Sequence, residues 1–124
     1  YDQVVFFNTQ TSTFNSIQVK NVYNYSDAKA KENNQSLSQS LSILKLLRPV
    51  SYNFTDNSDN TKFRKGGDGK EIGLLAQEVE QVLPNIVLTD PDGNKLINYT
   101  SLIAVLIDAV KDLNEKVSAL EAQQ

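Results

Sequence analysis

The sequence predicts an α+β fold: short β-strands, a central helix and a protruding loop or hairpin, ending in a long C-terminal helix. Three observations carry this. Apolar residues alternate over several short runs before residue 100, which is strand periodicity. Leu37, Leu41, Leu44 and Leu47 recur at spacings of four, three and three, which places them on one face of a helix. From residue 100 the apolar positions follow a strict seven-residue repeat. With 124 residues, 40 % hydrophobic content and a net charge of −3, the chain has the size for one domain with a modest core.

Residues 1–25 are polar and β-branched, and Val4-Val5-Phe6-Phe7 and Ile17-Gln18-Val19 read as parts of two or three short strands. Turns are expected at Asn15-Ser16 and Lys20-Asn21. These strands carry too little apolar surface to stand alone, so they are expected to close a larger β structure upstream, the chain being part of a longer polypeptide.

Residues 35–48 form the central helix. Ser36, Ser38, Ser40 and Ser42 are mediocre helix formers, so packing must hold it. Pro49 stops it, and Val50-Ser51-Tyr52-Asn53-Phe54 then alternates as a strand. Residues 55–70 are polar and glycine-rich, the expected exposed loop or hairpin. Glu71 to Leu75 enters a strand, Ala76 to Val82 makes about two helical turns, and Pro84 ends them. Ile86-Val87-Leu88 and Lys95-Leu96-Ile97 pair across Asp90-Pro91-Asp92-Gly93-Asn94, where Asp-Gly is a hairpin signal.

The last helix, about 100–122, is the cleanest element. Ile103, Val110 and Val117 occupy heptad position a; Leu106, Leu113 and Leu120 occupy d. Lys116 at g and Glu121 at the next e stand in the register of an interchain salt bridge. A helix packing only on its own domain needs a broad apolar stripe, so this repeat points to self-association as a coiled coil. β-Branched residues at a with leucine at d favour two strands by local rules.

Several chemistries fall away. Without histidine or cysteine there is no Ser-His-Asp triad, thiolate nucleophile or disulfide. The Asp90-x-Asp92-Gly93-Asn94 segment resembles a calcium loop, but its glycine falls at the fourth position and its twelfth residue is Ser101, so no metal site is expected. Gly66-Gly67-Asp68-Gly69-Lys70-Glu71 lacks the spacing and the following hydroxyl of a phosphate loop. Glu78 and Glu80 read as the solvated face of a helix. Tyr52, Phe54 and Tyr99 read as core or intersubunit packing. Lysine and arginine are scattered, so no nucleic-acid face is expected, and no run reaches the length of a membrane span. No cofactor is implied.

What remains is Ser26 and Lys31, with Asp27 between them. If covalent chemistry occurs, a serine activated by a lysine is the remaining pair. The alternative is local: Ser26 caps a helix, Asp27 and Glu32 favour its positive end, and Lys31 is solvated.

The ordered motifs resemble a known family. Ser26-Asp27-x-x-x-Lys31-Glu32-Asn33 precedes the leucine helix ending in Leu47-Arg48-Pro49-Val50-x-Tyr52. Then come Ile72-Gly73-Leu74-Leu75-Ala76-Gln77-Glu78-Val79-Glu80, Leu83-Pro84-x-x-Val87, Asp92-Gly93, Asn98-Tyr99-x-x-Leu102 and Leu106-Ile107-x-Ala109-Val110-Lys111-x-Leu113. In that order, over roughly residues 24–120, the chain is similar to the intramolecular chaperone domain of phage tail fibres and tailspikes, the endosialidase-type peptidase family S74.

The resemblance implies a homotrimer with Ile103, Leu106, Val110, Leu113, Val117 and Leu120 at its interface. It implies a C-terminal chaperone, residues 26–124, that templates an upstream fibre ending in residues 1–25 and then cuts itself off. The scissile bond would be Tyr25–Ser26, with Ser26 as nucleophile and Lys31 as general base. Asp27 and Lys29 would support them, Lys29 standing where relatives usually carry arginine. Cutting would follow assembly in the host cytoplasm, leaving the fibre in the virion tail. A permanent, non-cleaving trimerisation domain of the same fold is the alternative.

Geometry constrains the pair. Five residues span ~17 Å when extended and ~7.5 Å along a helix, on nearly opposite sides. The segment must turn, and Asp27 is a natural Asx-turn former. A general-base lysine must also lose its proton near neutrality, which burial in an assembled trimer would favour.

Overall fold

Side-chain chemistry at Asn8 decides where the first strands pair. Asn8 Oδ1 accepts the backbone N–H groups of Gln10 and Thr11 at 2.9 and 3.3 Å. That Asx turn, with Ser12 at φ 56°, reverses the chain. The computed structural model describes residues 2–55 and 69–124. In it β1 (Phe7–Asn8) pairs antiparallel with β2 (Thr13–Phe14), Phe7 opposite Phe14. Their rings meet edge to face, with centroids 5.3 Å apart. The turn therefore lies earlier than the expected Asn15-Ser16, because Asn8 closes it first. Ile17 to Val19 forms no strand.

The chain divides into two compact units, Tyr1–Asn33 with Ser51–Ile72, and Asn34–Val50 with Gly73–Gln124. Besides the first hairpin, the first unit holds most of the two-stranded sheet of β3 (Val50–Tyr52) and β4 (Glu71–Gly73). Tyr52 and Phe54 stack edge to face, 5.3 Å between centroids. The loop expected over 55–70 falls, for 56–68, outside the described residues.

In the second unit the central helix is shorter than its leucine pattern. Only Ser40–Leu44, α1, is helical, against an expected 35–48. The serines supply little propensity, and Gln39, left-handed at φ 61°, gives no side-chain cap. The missing acceptors come from another element. Asp108 and Asp112 of α3 (Ser101–Ala122) accept the Ser40 and Leu41 N–H groups, each at 3.3 Å. α1 packs on α3, where Val105 and Ala109 are buried.

α2 (Ala76–Val82) buries Val79, only 1 % exposed. Pro84 then opens a 3-10 turn, Pro84–Ile86, leading into β5 (Val87–Thr89). β5 pairs antiparallel with β6 (Lys95–Ile97) in the register Val87–Ile97, Leu88–Leu96 and Thr89–Lys95. Asp90 Oδ1 accepts the N–H groups of Asp92 and Asn94 at 2.9 Å, and Gly93 takes the φ of +86° that this turn requires. The Tyr99 hydroxyl accepts the Leu74 N–H at 2.9 Å and donates to the Leu74 carbonyl at 3.3 Å.

At 22 residues α3 is ~33 Å long. Its two sides differ. Val105, Asp108, Ala109 and Asp112 serve α1, whereas Ile103, Leu106, Val110, Leu113, Val117 and Leu120 are 43–63 % exposed. Every residue beyond Asp112 is exposed. Among the described residues the buried apolar side chains are Val79, Val105 and Ala109 alone. Such a core supplies little hydrophobic stabilisation, since a fully buried aliphatic side chain contributes about 1.5–3 kcal/mol.

Candidate functional site

The segment after Tyr25 is built around one carboxylate. Asp27 sits in extended backbone and caps a single 3-10 turn, Ala28–Ala30, by accepting the Lys29 N–H on Oδ1 at 3.0 Å. The Asp27 carbonyl accepts the Ala30 N–H at 3.1 Å, and the Ala28 carbonyl accepts the Lys31 N–H at 3.0 Å. Lys31 leaves the turn extended, at φ −118° and ψ 142°.

This turn resolves the spacing problem. Neither a strand nor an α-helix brings positions five apart together, but one 3-10 turn between extended residues does. The long stem of Lys31 reaches back, and its Nζ donates to Ser26 Oγ at 2.7 Å. Ser26 is not the cap, as the local alternative had it; Asp27 holds that place.

Residues 25–31 are all exposed, Tyr25 by 80 %. Lys29 Nζ stands 3.6 Å from Asp27 Oδ2. Lys31 makes no ion pair among the described residues. Chemically, the arrangement places an amine against a hydroxyl beside the Tyr25 carbonyl. A neutral amine there would take the hydroxyl proton; an ammonium donates to the oxygen instead.

The other residues singled out in the sequence lie elsewhere. Glu78 forms a two-point ion pair with Arg48, Nε to Oε1 at 3.3 Å and Nη2 to Oε2 at 2.7 Å. That hydrogen bonding lowers the Glu78 pKa and raises that of Arg48. Lys95 Nζ lies 3.1 Å from Glu80 and donates to Thr89 Oγ1 at 2.8 Å. These carboxylates are structural partners. The Asp90 side chain is occupied by its own turn, Oδ2 also accepting from Asn94 Nδ2 at 3.2 Å. No cluster of three or more metal-ligating residues occurs among the described residues. No helix among them is long and apolar enough to cross a membrane.

Sequence reasoning missed two features. The Arg48–Glu78 fork joins two separate motifs, and nothing local pairs residues thirty apart. Asp108 and Asp112 lie outside positions a and d, so the heptad repeat does not single them out. Their signal is the i, i+4 spacing, which places both carboxylates on one face of the helix.

Comparison with known proteins bears on these residues. The family model described as chaperone of endosialidase matches residues 26–88, so the match begins at Ser26. The long tail fiber proteins Gp37 of Enterobacteria phages K3 and T2 are each 32 % identical over 124 aligned residues. Those alignments cover 95 % of this chain and 9 % of the relative. Gp37 of Escherichia phage AR1 is 31 % identical over 108 residues, 83 % of this chain and again 9 % of the relative. The chain thus spans a small part of the length of these relatives.

Proposed function

This chain belongs to the chaperone-of-endosialidase family, and from that premise we propose that it is an intramolecular chaperone of a phage tail fibre which assembles as a homotrimer and then cuts itself at Tyr25–Ser26. Residues 1–25 are the end of the fibre and residues 26–124 the chaperone. The observation that carries the reading is the 2.7 Å contact of Lys31 Nζ with Ser26 Oγ, at the position where the family match begins.

Ser26 Oγ attacks the Tyr25 carbonyl carbon while Lys31 takes the hydroxyl proton. The peptide C–N bond breaks, the Ser26 nitrogen receives a proton, and Tyr25 is left as an ester on Ser26 Oγ. Water hydrolyses that ester, giving a Tyr25 carboxylate and a chaperone that begins at Ser26 with its hydroxyl restored. The reaction runs once, in cis, and needs no substrate pocket.

Timing follows from the same chemistry. A lysine ammonium ordinarily keeps its proton far above neutral pH. In the single chain the Ser26–Lys31 turn is exposed. Assembly withdraws it from water, and desolvation disfavours the charged form. Self-association is supported by the exposed a and d residues of α3 and by the small buried core. Ile107 at position e, 59 % exposed, widens the stripe beyond a two-stranded seam and favours three helices over two.

The test is to express the chain with more of its upstream fibre and compare wild type with Ser26→Ala by denaturing gel and intact mass. A fragment beginning at Ser26, absent from the variant, is the expected result. An intact wild type would make the chain a permanent assembly domain.

A further inference from the structure

We propose that Lys29 acts as a charge decoy, holding the Asp27 carboxylate so that it does not pair with Lys31 and keep that side chain protonated. The inference rests on the Ser26–Lys31 reading and assigns Lys29 a positioning role within it.

Asp27 is needed and dangerous at once. Its Oδ1 builds the turn by accepting the Lys29 N–H. Yet a carboxylate near a general-base lysine favours the ammonium, the form that cannot accept a proton. The structure sends Oδ2 to the other lysine of the turn, Lys29 Nζ at 3.6 Å, and leaves Lys31 Nζ on Ser26 Oγ at 2.7 Å.

The remaining charge on this segment is Glu32, next to Lys31. Among the described residues, no charged group from another element is bonded to Asp27, Lys29 or Lys31. Within the turn itself the charges are the Asp27 carboxylate, paired with Lys29, and the two lysines. Exposed as it is, the Lys29–Asp27 pair has little effect on stability. Its consequence is for proton affinity, and that consequence grows when assembly excludes water.

The test is a charge cycle read through the pH–rate profile of cleavage, measured at low ionic strength in the extended chain. Asp27→Asn retains an Oδ1 acceptor for the turn but removes the charge, leaving Lys29 as an unneutralised like charge. The midpoint of its profile moves to lower pH. Lys29→Gln releases Asp27 toward Lys31, and the midpoint moves to higher pH. Each shift is expected to reach at least about half a pH unit. The double variant Asp27→Asn/Lys29→Gln returns to near the wild-type midpoint. A purely structural role would lower rates without moving midpoints in opposite, cancelling directions. Sizes of the assembled variants, taken alongside, identify any that fail to assemble.

Profiles that coincide while wild type cleaves overturn the decoy and leave the dyad standing. If wild type itself yields no Ser26 fragment at any pH, the dyad reading fails and the decoy falls with it.

Discussion

Ser26 and Lys31 show how five residues of backbone decide whether two side chains meet. Both were legible as a pair, and so was the need for a turn at Asp27. The kind of turn was not, because 3-10 and α-helical first turns share the same capping residues and differ only in which carbonyl accepts the next N–H. Nothing in the spacing around Arg48 points to Glu78, since the pair is joined by folding and not by periodicity. The pair makes a prediction about acid. Glu78 has its pKa lowered in the folded chain, so its contribution is fully present above the ordinary glutamate range and is lost as pH falls through the lowered value. Arg48→Ala should therefore reduce the melting temperature near neutrality, and the wild-type advantage should narrow as pH falls below the ordinary glutamate range. Thermal scans across pH check this; parallel curves would contradict it.

The elements divide by what holds them. α2, the β5–β6 hairpin and α3 are where local signals agree: an apolar stripe, an Asp-Gly turn and a sustained repeat. α1 is where they conflict, and its leucine spacing overstated its length. Four serines and a left-handed Gln39 leave a five-residue helix whose first N–H groups depend on α3. Replacing both Asp108 and Asp112 by alanine should cost about 0.5–2 kcal/mol per lost cap. Amide exchange at Ser40 and Leu41 should accelerate in that variant, whereas the asparagine pair, which keeps an acceptor oxygen, should protect them better. Unchanged exchange would show that packing alone holds α1. Val79→Ala removes buried methyl groups from the small core of the second unit and should cost roughly 2 kcal/mol by chemical denaturation.

The whole molecule is defined by what one chain leaves uncovered. A helix whose a and d residues are about half exposed, with three buried apolar side chains among the described residues, lacks the burial that ordinarily stabilises a domain of this length. The heptads made the exposed apolar stripe of α3 legible; they do not fix how many helices would cover it, because the a and d residues favour two while Ile107 broadens the stripe. Sedimentation of wild type should give three chains per particle, and two would support the local rule instead. The central claim is that assembly triggers the cut. It is tested by comparing the yield of the Ser26 fragment, by intact mass at equal chain concentration, between wild type and a chain carrying Leu106→Gln, Val110→Gln and Leu113→Gln. The expected result is a wild type that assembles and cleaves beside a variant that stays monomeric and uncut. A monomeric variant that cleaves at the wild-type rate would contradict it.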